Sequence, residues 1–410
     1  MTSDRTARRI TAYCEAGLDV AALLFFPLLV LVPRGVTALV TVAGLCGAGL
    51  VLSASGPRPR TVLAAVGALL GCLLVWGTAS AIWSVDWRRS LVVAVRLAGL
   101  FAVGLGLADA ANSIKSARRL TFFFLGGLTL GVAMAAADLV TRGGLGAPFT
   151  ERVYQPAALN RASVSFSILL LPITAALLHS GLTLSPFLLA TATVATIFAL
   201  AGTTAKIALT AGLPIGLLIY LSRTRVAHAA ALVGVIVITT APLTFARFGR
   251  LPLFTETADA VKSSAGHRLM IWSFAGDRIA EDPIAGWGLD ASRSIPGGKD
   301  LVRPGETWMP LHPHNTPLQV WLELGAPGAV LIALLVALAW HSLAVAPWWR
   351  LYAAAAGASL TIALIACVTT YGIWQEWWLG TLWFSLFGIL SMARIAPVAA
   401  VHAETDGKGS

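Results

Sequence analysis

The sequence predicts an all-α integral membrane protein, and both its composition and the length of its apolar runs support that class. Of its 410 residues, 57% are hydrophobic and 12% are charged, whereas charged residues make up about a quarter of a typical soluble domain. Apolar runs long enough to cross roughly 30 Å of hydrocarbon recur along the chain. We expect about twelve transmembrane helices, at 15–33, 36–54, 61–84, 90–108, 120–139, 162–180, 184–201, 205–222, 227–245, 318–343, 351–371 and 378–396.

These runs divide the chain into four parts. Residues 1–245 hold helices 1–9, 246–316 form one long loop, 317–397 hold helices 10–12, and 398–410 form a polar tail. The first run follows a basic start but is succeeded by many others, so we expect a retained helix and not a cleaved signal.

The basic residues predict the orientation of these helices, because short cytoplasmic loops are enriched in Lys and Arg. With the N-terminus and the polar tail inside, most loop cations fall on that side and the long loop faces outward. This accounts for the net charge of +10, and no basic stripe with interleaved aromatics suggests nucleic acid. The inward cations are Arg5, Arg8, Arg9, Arg58, Arg60, Lys115, Arg118, Arg119, Arg223, Arg225, Arg350 and Arg394.

The long loop should contain structure of its own, since unstructured loops of this length are uncommon. Its segment HRLMIWSFAGDRIAEDP has apolar residues three and four apart, at Leu269, Trp272, Ala275 and Ile279. This spacing predicts an amphipathic helix that Pro283 ends, and such a helix could lie along the membrane surface.

Several cations on the outward side are candidate anion-binding residues. Arg268 lies at the start of the amphipathic helix. Arg161 follows Asn160 at the outward end of the predicted span 162–180, where facing lipid would be costly. Arg96 lies about 9 Å beyond Ser90 along its helix, a depth that favours a cavity or a buried partner. The plainer alternative for Arg268 is contact with lipid headgroups.

A second group of polar residues could either bind substrate or simply be exposed to water or headgroups. Arg88 and Arg89 depart from the inward bias and suggest an anionic ligand, although adjacent loop arginines are often only solvated. Lys206 could bind substrate or snorkel to headgroups. Glu376 lies among tryptophans that an interfacial belt explains, and it could orient a substrate hydroxyl or be exposed to water.

The stretch LHPHNTPLQVWLELGAPG places two histidines before a long apolar run. His312 and His314 have no third ligand at a recognisable spacing, so we predict no metal site there. Asn315 can cap the following helix, and Pro317 and Gly325 are turn residues. The four cysteines have no CxxC spacing and are interpreted as packing residues.

With these residues identified, the chain resembles the O-antigen ligase and polymerase superfamily. In that family the loop returns to the membrane through an ordered motif of His, Asn, Leu, Gln, Glu-x-Gly and Gly. The matching positions here are His314, Asn315, Leu318, Gln319, Glu323, Gly325 and Gly328, and upstream Arg268 with Trp272, Pro283, the turn Gly286, Trp287 and Gly288, and Asn160 with Arg161.

The resemblance implies an inverting, C-type membrane glycosyltransferase that acts on the periplasmic face of the bacterial inner membrane. It implies an undecaprenyl pyrophosphate-linked glycan as donor, lipid A core or another glycan as acceptor, and no cofactor. His314 is then the base, Arg161 and Arg268 bind pyrophosphate, and His312 competes for the role of base. The remaining substrate-binding candidates are Asn315, Gln319, Arg88, Arg89, Arg96, Lys206 and Glu376.

The elementary chemistry agrees with these roles. A neutral imidazole can accept a hydroxyl proton, and Arg offers a permanent planar donor fork to phosphate oxygens. The sequence has no DxD motif, so we expect metal independence. A polymerase of lipid-linked repeat units remains a close alternative. A transporter is a more distant one, because we find no internal repeat of the kind many transporters have.

Overall fold

The computed structural model describes residues 2–53, 60–146 and 155–395, and within them the protein is a bundle of helices. Arg58 and the predicted polar tail lie outside the described residues. The helices are α1 (Thr2–Leu31), α2 (Gly35–Ser53), α3 (Thr61–Ala79), α4 (Trp87–Ala110), α5 (Ala117–Val140), α6 (Asn160–His179), α7 (Leu184–Ala199), α8 (Thr203–Thr239), α9 (Ala241–Gly249), α10 (Pro252–Val261), α11 (Ser263–Glu281), α12 (Thr316–Val345), α13 (Arg350–Thr369) and α14 (Glu376–Met392).

The predicted membrane-spanning helices correspond to helices of the structure. Within the described ranges, nine helices are long and apolar enough to cross a bilayer. The predicted spans at 184–201 and 378–396 appear as the shorter helices α7 and α14. The remaining difference between the predicted and observed numbers of long spans arises at α8, which corresponds to two predicted spans. The protein is a multi-pass membrane protein.

Helix α8 is a hairpin of two helical arms. It is 37 residues long, but Ser222 has non-helical φ/ψ of −149° and 75°. Three hydrogen bonds locate the parts of this helix. Near its start, Thr204 bonds to Thr370 at 2.7 Å, and near its end, the carbonyl of Ile238 accepts from Trp321 at 2.8 Å. In its middle, Arg223 donates to the carbonyl of Trp348 at 2.9 Å. Its start and end therefore lie at the end of the bundle where α12 begins and α13 ends, and its middle lies at the other end.

We call the end where α12 begins and α13 ends the site end, and the opposite one the basic end. At the basic end, loops predicted to share one side of the membrane contact one another. Arg60 pairs with Asp109, Arg119 with Glu15 and Asp19, and Arg394 donates to the carbonyls of Ala111 and Ile114. These contacts agree with the inferred alternation of the spans.

The predicted long loop forms a small folded unit at the site end. It contains α9, α10, α11 and a two-stranded antiparallel ribbon, β1 (Leu301–Arg303) and β2 (Glu306–Thr307). The ninth predicted span was placed too long, because α8 ends at Thr239 and a separate helix starts at Ala241. The predicted amphipathic helix is α11, which buries Ala275 and Ile279 in a cluster with residues of α9 and α12.

Three of the four cysteines, Cys14, Cys46 and Cys367, pack against the hydrophobic core, whereas Cys72 is exposed. All four are free. Cys14 and Cys46 pack against glycines where α1 meets α2: a Cβ on Gly17 would lie 2.6 Å from Sγ of Cys46, and one on Gly49 would lie 2.5 Å from Sγ of Cys14. The small glycines therefore make room for the two thiols.

Helix α12 is interrupted one-third of the way along its length, and the interruption binds the loop. Gly325 has φ 61° and ψ −159°, and Pro327 has no N–H to donate to the carbonyl of Glu323. The freed carbonyls of Leu322 and Glu323 accept instead from the N–H groups of Trp287 and Gly288, at 2.9 and 2.8 Å. Interrupted helices are tolerated in membranes where such backbone groups bond within the protein.

Two further bonds complete this contact, which we call the clamp (residues 283–288 against 322–326). The N–H of Ala326 donates to the carbonyl of Pro283 at 3.0 Å. The indole of Trp76, on α3, donates to the carbonyl of Leu324 at 2.8 Å. The clamp therefore fastens the loop, α12 and α3 together.

Replacing Gly325 with Ala should destabilise the protein. The backbone of Gly325 is in a region that is essentially restricted to Gly, and a Cβ there would lie 2.0 Å from the carbonyl oxygen of Ile284. The strain alone should lower the free energy of unfolding by roughly 1–3 kcal/mol, measured as a lower unfolding temperature in detergent. Gly71→Ala is the matched control, because a Cβ at Gly71 meets nothing within 4 Å. Equal unfolding temperatures for the two variants would contradict the role of the clamp.

Candidate active site

The candidate site is built around the C-terminal end of α13, whose last carbonyls have no partner within the helix. The carbonyl of Thr369 accepts from Nη1 of Arg268 at 2.8 Å. The next carbonyl, of Thr370, accepts from Nδ1 of His314 at 2.6 Å. Two side chains predicted from separate motifs are therefore held by consecutive peptide groups.

The bond to Thr370 determines which nitrogen of His314 carries the proton. A carbonyl oxygen only accepts, so Nδ1 must be protonated and Nε2 of the neutral ring bears the lone pair. His314 also has a positive φ of 55°, which costs about 1–3 kcal/mol in a residue with a side chain. The surrounding bonds hold this strained backbone and direct the basic nitrogen away from α13.

His312 is held by bonds at both ring nitrogens. Its Nδ1 accepts from the backbone N–H of His314 at 3.1 Å, and its Nε2 lies 3.2 Å from the amide of Gln375. The ring is buried, and a Cβ at Gly372 would lie 2.9 Å from its Cδ2. These contacts favour a positioning role for His312 and leave His314 as the better candidate base.

Burial keeps both imidazoles neutral. It lowers the pKa of His314 to about 4; the bond to Thr370 opposes that shift, and the charge of Arg268 adds to it. Burial also lowers the pKa of His312 well below its ordinary value, with further lowering from His314 and Arg293. At neutral pH the lone pair of His314 is therefore available.

Arg161 and Arg268 both lie near Tyr371 and come from different helices. The guanidinium carbon of Arg161, on α6, lies 5.0 Å from the centre of the Trp377 ring. The hydroxyl of Tyr371 donates to the carbonyl of Asn160 at 3.2 Å. Burial raises the pKa of Tyr371, and the charges of both arginines oppose that rise. The two predicted cations thus act on one small region.

A polar cavity of about 270 Å³ opens beside Arg268 and Tyr371, and neither Arg161 nor His314 is part of its wall. Arg268 forms part of its wall, and burial lowers the pKa of that guanidinium from its ordinary high value. The other polar lining residues include Asn160, Thr203, Thr204, Lys262 and Tyr371. Cations and hydroxyl donors around a cavity of this kind suit phosphate oxygens.

A larger apolar cavity of about 840 Å³ adjoins the polar one. It is lined by both arms of α8 together with α12 and α13, through residues such as Ile215, Val233 and Leu364. Thr369 lines both cavities. The two cavities therefore offer a cationic space and a long apolar space on either side of one residue.

Asn315 and Gln319 lie beneath the histidines and bond to the protein itself. The side chain of Asn315 accepts from the N–H of Leu318 at 3.0 Å, which confirms the predicted helix cap. The amide of Gln319 accepts from the N–H of Ile373 and donates to Glu323, each at 3.1 Å. Both residues are fully buried. Gln319 is engaged by the protein at both ends of its amide, whereas the NH₂ group of Asn315 has no hydrogen-bond partner among the described residues, so a substrate contact of Asn315 stays a prediction.

The other predicted polar residues lie around the site and not within it. Arg96 pairs with Glu376 at 2.9 Å; Arg96 is exposed and Glu376 is not buried, so this partner is not the buried one expected at that depth. Arg89 pairs with Asp290 at 2.6 Å. Arg88 is exposed and its guanidinium lies 5.4 Å from the Trp87 ring. Lys206 is not part of the wall of the polar cavity, although Ala205 and Ile207 on either side of it are.

Sequence reasoning missed the groups that organise the site. The carbonyls of Thr369 and Thr370 carry no side-chain signal. Tyr371 is the last residue of the predicted span 351–371 and Gln375 follows it, so both were recognisable only as polar residues near its end. Lys262 precedes the predicted amphipathic helix by several residues and gave no signal for a cavity.

Part of the chain is similar in sequence to known proteins. Residues 187–333 match the family model described as O-antigen ligase. Over this region the chain is similar to O-antigen ligases. The matched region contains Arg268, His312 and His314, whereas Arg161 and the turn at 369–377 lie outside it.

Individual relatives are described as polysaccharide ligases. The chain is 36% identical over 126 residues to a candidate polysaccharide ligase of Rickettsia conorii. It is 35% identical over 126 residues to a polysaccharide ligase candidate of Rickettsia felis. The alignments span 30% of this chain, and 30% and 31% of the respective relatives.

Nuclear magnetic resonance should find His314 neutral and protonated on Nδ1 at pH 6, because its pKa is about 4. The measurement is a pH titration of ¹⁵N-histidine-labelled protein in bilayers, with the His314 signal assigned by its loss in His314→Asn. Asn suits the control because it tolerates the positive φ and its amide can donate to Thr370. A midpoint near the ordinary value of about 6.5, or a proton on Nε2, would contradict the described site.

Proposed function

We propose that this protein is an inverting glycosyltransferase that moves a glycan from undecaprenyl pyrophosphate to a sugar hydroxyl, as an O-antigen ligase does. The acceptor would be lipid A core oligosaccharide or another glycan. The site would face the periplasm from the bacterial inner membrane, since the basic end has the cations that favour the cytoplasm. The observation that carries the proposal is that the guanidinium of Arg268 and Nδ1 of His314 bond to the consecutive carbonyls of Thr369 and Thr370 at the end of α13.

In the proposed reaction, Nε2 of His314 takes the proton of the acceptor hydroxyl. The acceptor oxygen attacks the anomeric carbon of the donor, and the bond from that carbon to the phosphate oxygen breaks. The new glycosidic bond forms on the opposite face, so the configuration inverts. Undecaprenyl pyrophosphate leaves with the bonding electrons, and the proton on His314 later passes to solvent or the leaving group.

Arg268 and Arg161 would stabilise the charge that develops on the departing pyrophosphate. Donors that are already oriented when charge develops contribute strongly to catalysis. Arg268 is held by the carbonyl of Thr369 and Arg161 lies against Trp377, so neither side chain needs to be ordered during the reaction. The polar cavity lined by Arg268 would hold the phosphates.

The two adjoining cavities support an amphiphilic donor. A polyprenyl pyrophosphate has an anionic head and a long apolar tail, and the polar and apolar cavities meet at Thr369. Burying the tail would contribute about 0.8 kcal/mol per CH₂ group removed from water. The tail in the membrane already avoids water, so the apolar cavity mainly orients the donor and contributes less to its affinity.

A polymerase that joins lipid-linked repeat units is the alternative with the same donor and the same base. The two differ in the acceptor, which is a lipid-linked glycan for the polymerase. Purified protein should be given a defined lipid-pyrophosphate donor with each acceptor in turn. Product on the core oligosaccharide supports a ligase, and a longer lipid-linked chain supports a polymerase. Movement of the lipid across the bilayer without a new glycosidic bond would support transport instead.

Replacing the two histidines with Asn should separate the base from its neighbour. Asn can keep the bonds made at each Nδ1, but it has no basic nitrogen. His314→Asn should lower the transfer rate by roughly 10²–10⁴-fold, the usual contribution of a general base. His312→Asn should retain far more activity. Full activity in His314→Asn, or equal losses in both variants, would overturn the assignment.

Transfer should also continue in excess chelator, because the proposed reaction neutralises pyrophosphate with arginines and uses no bound metal ion. The measurement compares initial rates with and without ethylenediaminetetraacetate, and Arg268→Lys provides a variant with weakened phosphate contacts. A loss of activity that magnesium restores would contradict this part of the proposal.

A further inference from the structure

Glu323 is a buried carboxylate whose role the proposed reaction does not explain. It lies in α12, two residues before the interruption at Gly325, and its side chain is fully buried. A carboxylate in such a place is costly unless hydrogen bonds satisfy it. Each of its oxygens has two partners, and these partners come from three separate parts of the chain.

Oε2 of Glu323 accepts from two groups that can only donate. One is the backbone N–H of Asp290, at 2.8 Å, and the other is the indole N–H of Trp374. Oε1 accepts from the amide of Gln319 at 3.1 Å and from the hydroxyl of Ser292. The backbone carbonyl of the same residue accepts from Gly288 within the clamp.

The orientation of the Gln319 amide is determined by its other partner. Its Oε1 accepts from the backbone N–H of Ile373 at 3.1 Å, so the NH₂ group must face Glu323. Three of the four partners of the carboxylate can therefore only donate to it. This arrangement matches an ionised carboxylate. An apolar side chain in place of Glu323 would leave these donors without an acceptor.

Glu323 is linked to the base through the turn at 369–377. Trp374 bonds to it directly, and Ile373 does so through Gln319. The same turn supplies the carbonyl of Thr370 to His314 and the amide of Gln375 to His312. A shift of this turn would therefore displace the acceptor that determines the tautomer of His314.

We propose that Glu323 is a positioning residue, which holds the 369–377 turn against α12 and the loop at 288–292 and thereby fixes the imidazole of His314. Glu323 acts through its hydrogen bonds and touches no reacting atom. This inference rests on the proposed function, because its effect is read as transfer by His314. Groups that orient a catalytic residue in this indirect way are typically worth 10–100-fold in activity at metal sites.

The test replaces Glu323 with Gln and then exchanges the two side chains. In Glu323→Gln, the carbonyl can still accept from Asp290 and Trp374, but its NH₂ group meets the NH₂ group of Gln319. The double variant Gln319→Glu with Glu323→Gln removes this conflict. Glu at 319 accepts from both Ile373 and Gln at 323, while the hydroxyl of Ser292 becomes the acceptor.

We expect Glu323→Gln to lower kcat by roughly 10–100-fold with little change in KM for the lipid-pyrophosphate donor. The exchange variant should recover most of that kcat. Wild-type kcat in the single variant, a loss confined to KM, or no recovery in a folded exchange variant would overturn the proposal. Failure of the wild-type protein to transfer glycan would instead count against the proposed function.

Trp374→Phe keeps an aromatic ring but removes one donor to Glu323. It therefore tests the link between Glu323 and the 369–377 turn if the Gln variants do not fold. It should lower kcat in the same direction without changing the donor KM. Trp321→Phe is the matched control, because it removes an indole bond to the carbonyl of Ile238, which belongs to α8 and not to this network. Equal kcat values for these two variants would also overturn the proposal.

Discussion

The backbone hydrogen bonds of the clamp are the interaction on which the site end depends. A helix inside a bilayer normally satisfies its own carbonyls, and α12 gives this up at Gly325 and Pro327. The freed carbonyls then bind the 283–288 turn, which brings the folded loop against the bundle. Since Asn315 caps the same helix, the interruption and the cap together determine where His314 lies.

The site is held by backbone carbonyls that have no partner within their own helix and bond elsewhere in the protein. The clamp uses carbonyls in the middle of α12, and the histidine and arginine contacts use carbonyls at the end of α13. Backbone carbonyls cannot change their protonation, so they fix a neutral imidazole more firmly than a titrating partner could. The low dielectric around these groups makes each bond stronger and each unpaired polar group more costly.

The sequence was sufficient to predict the membrane-spanning helices. It also identified residues that converge at the site, but it did not predict how they are arranged. Apolar run length predicted the spans, including the two arms of α8, because membrane crossing imposes a physical length. The end of the ninth span, α9, α10 and the β-ribbon needed the structure. His314, Arg268 and Arg161 were found from residue type and motif. The contacts of Thr369, Thr370 and Tyr371 could not be, because they depend on packing between distant segments.

The central claim is that one neutral base drives a single displacement at the anomeric carbon. Glu323, the buried carboxylate nearest to the histidines in sequence, is surrounded by four donors and is unsuited to act as a nucleophile. The most direct test is the anomeric configuration of the product, read from proton coupling constants after transfer from a donor of known configuration. The account predicts inversion, and retention of configuration would contradict it.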